Sequence, residues 1–322
     1  MDTAARTRAW GLGFAVFSSV CFGASGPFGK ALINAGLSPL QAVWIRIAGA
    51  ALVLAVVVLA VRGVRDLACV RREWRPLIVY GLTGVAGCQA FYFVAASRLP
   101  VGIAILLEFT GPILVLAWLR LVRRAPVHRT AVAGVAVAMA GLAMVVEIWS
   151  GLGLDLLGLL AGLGAAACQA AYFLIVDRMT GKIDPLAMTA AGSAIAAVAL
   201  TVISAPWALP WDVLSDPVPV GEHTAPGWAL AAWIVVVSTV FAYVTGAIAV
   251  QRLSAQVAGA ICYTEAVAAG LIAWAALGER LTPVQIAGGL IVLAGAYIAQ
   301  RAVIERAPDQ APAREAAVAG AR

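Results

Sequence analysis

Val101-Gly102-Ile103-Ala104-Ile105-Leu106-Leu107-Glu108-Phe109-Thr110-Gly111-Pro112-Ile113-Leu114-Val115-Leu116-Ala117-Trp118-Leu119 contains a single ionisable side chain, Glu108. A run of this length and apolarity matches the roughly 20 residues a helix needs to cross the hydrocarbon core of a bilayer. A carboxyl at that depth costs about 2.5 to 3.5 kcal/mol on insertion scales, so Glu108 is expected to face a protein interior or a wet cavity and not lipid. Pro112 follows four residues later and has no N–H for the Glu108 carbonyl to accept. A helix break and a carboxyl therefore coincide, as where a helix lines a cavity. The alternative is a protonated Glu108 bonded to a neighbouring helix for packing.

Working outward, the rest of the chain has the same character. Of its 322 residues 63% are hydrophobic and 12% charged, against about 25% charged in a soluble domain. The pattern predicts an all-α polytopic membrane protein with ten transmembrane helices near 9–30, 38–61, 76–97, 101–122, 130–148, 156–176, 185–205, 228–250, 254–276 and 282–303. Arg6 and Arg8 before an apolar run imitate a secretory signal, but the run continues past Gly23 without a convincing cleavage site, which points to a retained first helix.

Orientation follows from the basic residues. With the N-terminus inside, eighteen of the 22 lysines and arginines fall in cytoplasmic segments, only Lys30, Arg98 and Arg280 fall outside, and Arg46 lies within a span. This bias places both termini in the cytoplasm. The net charge of +6 is accordingly a topology signal and not evidence for a nucleic-acid partner. The lipid bilayer is the expected surrounding, in the cell's inner membrane. Trp207 to Gly227, with four prolines, reads as an irregular outer loop, and 305–322 as a disordered cytoplasmic tail.

The halves echo one another. Leu37-Ser38-Pro39-Leu40 matches Ile183-Asp184-Pro185-Leu186 at an offset of 146, whereas Ala133-Gly134 matches Ala287-Gly288 and Gly141 matches Gly295 at 154. Five helices per half is an odd number, so the second copy would be inverted relative to the first. Inverted repeats suggest alternating access around a midplane site.

Candidate site residues come from the few polar groups at bilayer depth. Glu265 is the counterpart of Gly111, about one helical turn from Glu108 in the repeat frame. Two carboxyls facing one cavity could hold an amine; Glu265 could equally be a structural lock. Arg46 could bind a substrate carboxylate, pair with an acid, or snorkel to the interface. Gln89 and Tyr92 share a face of the third span, Tyr243 occupies the Gln89 position of the second half, and Gln169 and Tyr172 form a similar pair in the sixth. Such groups orient a polar solute or bond neighbouring helices. Pro27 and Pro112 are candidate helix-break or gating positions, Pro27 freeing the Gly23 carbonyl. Gly81, Gly84 and Gly87 form a small-residue stripe suited to close packing. The five cysteines lack metal-like spacing and read as packing residues, and both histidines lie in loops. No metal site, cofactor or nucleophile-and-base pair is expected, which argues against an enzyme.

Tyr263-Thr264-Glu265-Ala266, Leu277-Gly278-Glu279-Arg280-Leu281-Thr282-Pro283 and Gly288 together resemble the drug/metabolite transporter superfamily, in proteins with two tandem EamA domains. The repeats would then be 1–149 and 150–304. The family usually carries proline where this chain has Ala266, and the first half has Val122-Arg123-Arg124-Ala125 in place of the Gly-Glu-Arg turn. Leu99-Pro100-Val101-Gly102-Ile103-Ala104 leading into Leu107 to Pro112 is similar to the fourth helix of threonine and homoserine exporters. The resemblance implies export of a small amino acid such as threonine or homoserine, or a similar metabolite, with Glu108 in the cavity; the sequence has no ATP-binding motif, so a secondary transporter driven by gradients is expected. Protons are one candidate coupling ion, and the oligomeric state is not indicated. Efflux of hydrophobic or cationic drugs is the rival within transport; a non-transporting scaffold or an intramembrane enzyme is the rival outside it.

Overall fold

The computed structural model describes residues 3–62, 65–122, 124, 129–146, 155–179, 182–252 and 263–304. The expected tail at 305–322 and the expected start of the ninth span at 254–262 lie outside the described residues.

Among the described residues the chain forms ten apolar helical stretches. Six are long and apolar enough to cross a membrane, at Trp10–Asn34, Pro39–Val61, Trp74–Arg98, Leu156–Val176, Pro185–Ser204 and Gly227–Gly246. Four shorter ones cover Val101–Val115, Val132–Val145, Thr264–Leu277 and Pro283–Ile298. The exterior is greasy and the interior holds polar groups. Leu52, Val56, Leu160, Val202 and Leu271 point outward and exposed, whereas Ser18, Ser25, Arg46, Ser193, Ser238 and Thr239 are buried. A water-soluble monomer does not expose this much apolar surface.

Local rules open the helices. Ser38 and Gln41 bond reciprocally to one another's backbone N–H, at 2.9 and 3.2 Å, and Thr282 and Gln285 do the same at 3.0 and 3.2 Å. Each is a capping box with proline in the first helical position. Asp184 caps α11 (Pro185–Ser204) by accepting from Leu186 and Ala187 N–H.

Several spans are interrupted. α1 (Thr3–Gly23) gives way at Ala24 to α2 (Ser25–Asn34). After the short α4 (Arg65–Arg72), α5 (Trp74–Val79) runs through a π-helical stretch, Tyr80–Gly87, into α6 (Cys88–Arg98). α13 (Gly227–Ala232) does the same through Trp233–Phe241 into α14 (Ala242–Arg252). α7 (Val101–Glu108) stops at Phe109-Thr110, and α8 (Gly111–Leu121) continues with Pro112 in its first turn.

Glycine sets the closest helix crossings. α9 (Arg129–Val146) packs on the last helix, α16 (Pro283–Ile304): a Cβ at Gly141 would come within 2.7 Å of the Gly288 carbonyl oxygen, and the Gly295 position faces the Gly134 carbonyl and Ala138. As the number rises on one helix it falls on the other, so the two run antiparallel. α3 (Pro39–Arg62) and α11 are likewise antiparallel, with Trp44 Nε1 donating to Thr201 Oγ1 at 2.8 Å and Ala50 and Leu54 packed beside Ala190. α10 (Leu156–Met179) lies on the third span, where Gly84 meets Tyr172 and Gly87 meets Cys168. α1 lies on α14, with the Ser18 hydroxyl donating to the Ala242 carbonyl at 2.7 Å.

The loop after α11 departs from the all-helical expectation. It folds into a 3₁₀ turn (Pro206–Ala208), α12 (Asp212–Ser215) and an antiparallel hairpin of β1 (Pro217–Val220) and β2 (His223–Pro226). The reading from prolines overlooked the Pro-Val-Pro-Val alternation, which buries Val218, and the two-residue turn in which Gly221 adopts φ +63°.

Candidate functional site

Glu108 is the last residue of α7, and the chain turns immediately after it. Thr110 N–H reaches back to the Leu107 carbonyl at 3.1 Å, and its hydroxyl donates to the same carbonyl at 2.6 Å. These bonds close the helix end that proline at 112 cannot extend. The Glu108 side chain is half-buried. Its Oε1 accepts from Gln169 Nε2 on α10 and from the Cys88 thiol on α6, both at 3.3 Å. The second carboxyl oxygen has no hydrogen bond among the described residues.

Arg46 does not snorkel. Its side chain lies in the interior with the residue only 2% exposed, and its bonds tie three other segments together. Nε donates to Thr239 Oγ1 at 3.0 Å, Nη1 to Ser25 Oγ at 3.1 Å and to Gln89 Oε1 at 2.5 Å, and Nη2 makes a long contact of 3.5 Å with the Ser238 carbonyl. The Phe93 ring lies 5.9 Å from the guanidinium carbon. Ser25 follows the α1/α2 break, and Ser238 and Thr239 lie in the π-helical stretch, so irregular backbone supplies part of the cradle. Arg46 is within electrostatic reach of both Glu108 and Glu265, and those carboxyls are within reach of each other.

Glu265 opens α15 (Thr264–Leu277), half-buried, with its backbone carbonyl against Gly23 at the end of α1. Its carboxyl makes no hydrogen bond among the described residues. Tyr92 is buried with its hydroxyl against Gly26, and its ring meets Phe93 edge-on at 5.5 Å. Tyr243 is half-buried and stacks edge-on with Phe22 at 4.9 Å. Pro27 is buried in the first turn of α2.

The fold thus gathers Glu108, Glu265, Arg46, Gln89, Tyr92 and Tyr243 into one interior region bordered by the breaks at Ala24 and Phe109-Thr110. Three partners escaped the reading from sequence. Cys88 was assigned to packing, and Ser25 and Thr239 carry no signal that distinguishes them from other small hydroxyl residues in apolar helices. Among the described residues no cluster of His, Cys, Asp and Glu could hold a metal ion.

The EamA-like transporter family matches residues 9–147 and again residues 156–300. The chain belongs to the EamA-like transporter family. Among curated relatives, "Threonine/homoserine exporter RhtA" of Salmonella typhimurium (strain LT2) is 31% identical over 239 residues, 73% of each chain. Its namesake in Escherichia coli (strain K12) is 32% identical over 225 residues, 68% of this chain and 69% of that one. "Uncharacterized transporter YwfM" of Bacillus subtilis (strain 168) is 26% identical over 309 residues, 94% of this chain and 96% of that one. One solved crystal structure superposes with a TM-score of 0.53 at 21% identity, covering 92% of this chain and 97% of that one, a likeness of fold alone. This EamA protein is therefore a multi-pass membrane transporter.

Proposed function

We propose that this EamA transporter exports a small amino acid, threonine or homoserine in the first instance, across the inner membrane by alternating access. The four shorter apolar helices complete ten spans with the six long ones, and both termini are cytoplasmic. The two five-helix halves, 1–149 and 150–304, form an inverted repeat. Support for the repeat comes from reciprocal contacts. At an offset of 154 the Gly141–Gly288 crossing maps onto Gly295–Gly134, and with 146 for the second span the contact of Gly49 with Val235 maps onto that of Ile195 with Gly81. The π-helical stretches Tyr80–Gly87 and Trp233–Phe241 also correspond at 154. Corresponding helices that run antiparallel are what an inverted repeat requires.

The observation that carries the substrate reading is Glu108 at a helix break beside an incompletely bonded interior, in a chain whose relatives include named threonine/homoserine exporters. Glu108 and Glu265 supply cavity charge, Gln89, Tyr92 and Tyr243 orient the solute, and Pro27 and Pro112 keep the backbone broken where it lines the cavity. Transport is driven by a gradient, with a proton as candidate coupling ion through Glu108. The test is efflux of labelled threonine and homoserine from preloaded cells, comparing wild type with Glu108→Gln. Flux in wild type that falls at least tenfold in well-expressed Glu108→Gln supports the reading. Well-expressed wild type that moves neither amino acid sinks the substrate assignment.

A further inference from the structure

We infer that Arg46 is the carboxylate anchor of the site and that Gln89 is its neutral stand-in, so that the transporter selects zwitterions and rejects plain amines. The inference rests on the amino-acid reading above and adds the identity of the group recognised.

The argument begins with charge. Removing a guanidinium from water costs several kcal/mol in practice, and proteins recover this through an anion in contact. Arg46 is buried at bilayer depth, yet each of its bonds goes to a neutral oxygen: Thr239, Ser25, Gln89 and the Ser238 carbonyl. No carboxylate among the described residues lies within 4.0 Å of it. Glu108 and Glu265 are near enough to act on it electrostatically, but neither closes on it. A fixed cation facing two detached carboxyls is complementary to a solute with both charges, its carboxylate toward Arg46 and its ammonium toward the glutamates. A monovalent cation would leave Arg46 uncompensated and face a like charge.

Geometry indicates where the carboxylate enters. The guanidinium fork binds carboxylate through two parallel N–H groups. Nε and one Nη1 hydrogen are engaged by hydroxyls fixed on helices. The second Nη1 hydrogen goes to Gln89 Oε1, on a half-buried and flexible amide, and Nη2 has only its 3.5 Å contact. Nη1 and Nη2 therefore offer the fork once Gln89 swings aside. Ser238, whose carbonyl makes the long contact, also has a buried hydroxyl without a partner. The amide oxygen of Gln89 stands where an oxygen of the substrate carboxylate would bind.

The experiment is counterflow in proteoliposomes containing the full-length protein, in which internal solute drives accumulation of external labelled threonine. The internal solutes are threonine, 1-amino-2-propanol, which is threonine without its carboxylate, and 3-hydroxybutyrate, which lacks the ammonium. Losing a hydrogen bond to a charged group corresponds to roughly thirtyfold, so internal threonine is expected to drive accumulation at least thirtyfold better than either analogue. Gln89→Glu provides a second arm. It places a permanent carboxylate on Arg46 and is expected to raise the KM for threonine at least tenfold while leaving expression and thermal stability intact. Threonine counterflow matched by 1-amino-2-propanol, or a Gln89→Glu protein with wild-type KM, overturns this inference and leaves amino-acid export standing. Failure of any amino acid to drive counterflow overturns both.

Discussion

Glu279 is expected to hold together the end of the molecule that carries the hairpin, and the strength of that hold can be worked out from its bonds. Gly278, at φ +67°, ends α15 with its N–H on the Trp274 carbonyl, which turns the next side chain back across the bundle. Glu279 Oε1 accepts from Lys30 Nζ of α2 at 2.6 Å, and Oε2 accepts from the Val101 N–H at 2.7 Å. That N–H opens α7, whose preceding residue, Pro100, has no capping side chain, so Glu279 caps the helix from 178 residues away. Lys30 also donates to the Leu99 carbonyl at 2.7 Å. The two charged side chains are only 14% and 16% exposed, so the pair is not one of the surface bridges worth next to nothing. A lost cap costs about 0.5 to 2 kcal/mol and a hydrogen bond to a charged group about 1.5 to 3 kcal/mol, which gives Glu279→Ala roughly 2 to 5 kcal/mol. Glu279→Gln keeps an acceptor and should cost about half as much; Lys30→Met should resemble it. Denaturant unfolding in detergent of the two single variants and the double variant measures their coupling, expected at about 1 kcal/mol. If this end must open during transport, each 1.4 kcal/mol lost also shifts closed against open by about tenfold. Glu279→Ala unfolding like wild type, or strict additivity in the double variant, refutes the reasoning.

Other outcomes follow from the packing. Gly288→Val meets backbone atoms of Gly141 and Val145 at 2.8 and 2.9 Å and should destabilise by about 2 to 4 kcal/mol, read as a lowered melting midpoint in detergent. Gly26→Ala forces its new methyl onto the Tyr92 hydroxyl and the Val101 side chain; threonine efflux should fall at least fivefold, and Tyr92→Phe in the same chain should restore part of it by removing the obstructing oxygen. Cys88→Val removes the thiol donor from Glu108, whereas Cys88→Ser preserves one, so efflux should be reduced in the first and near wild type in the second.

What could be read from the sequence was local or compositional. The capped starts at Ser38-Pro39 and Asp184-Pro185 and the loss of a helical donor at Pro112 depend on neighbours within a turn. Burial of polar groups and exposure of apolar ones follow from the bilayer as solvent. The missing parts are contacts over long separations. Arg46 finds Thr239 at a separation of 193 residues and Lys30 finds Glu279 at 249, and no spacing rule announces either. Cys88 looked like a packing residue because a thiol in an apolar helix usually is one; only the path of α7 beside α6 gives it a carboxyl to meet. The π-helical stretches were also illegible, since an extra residue per turn leaves apolar composition unchanged.

Under the proposed repeat, the scaffold is shared and the charge is not. At the same offsets Arg46 corresponds to Gly192, Glu108 to Cys262, Glu265 to Gly111, Lys30 to Val176 and Glu279 to Ala125. Thus every interior or half-buried charge named here has an uncharged counterpart. Where the first half directs Arg46 inward, Gly192 instead leaves room that the Tyr80 ring occupies. If the halves exchange arrangements as that repeat requires, matched glycine crossings would give the two arrangements similar packing, which would allow alternation with a small bias. The unpaired charges then set that bias and the direction in which a substrate lies. Among the described residues the Lys30–Glu279 pair has no ionic equivalent at the other end, so the unloaded transporter should favour closure at the hairpin end. A cysteine two residues before the Leu99 carbonyl that Lys30 meets, Ser97→Cys, should react with an impermeant thiol reagent slowly with Glu279 intact and severalfold faster with Glu279→Gln; equal rates would remove the charge asymmetry as the source of the bias.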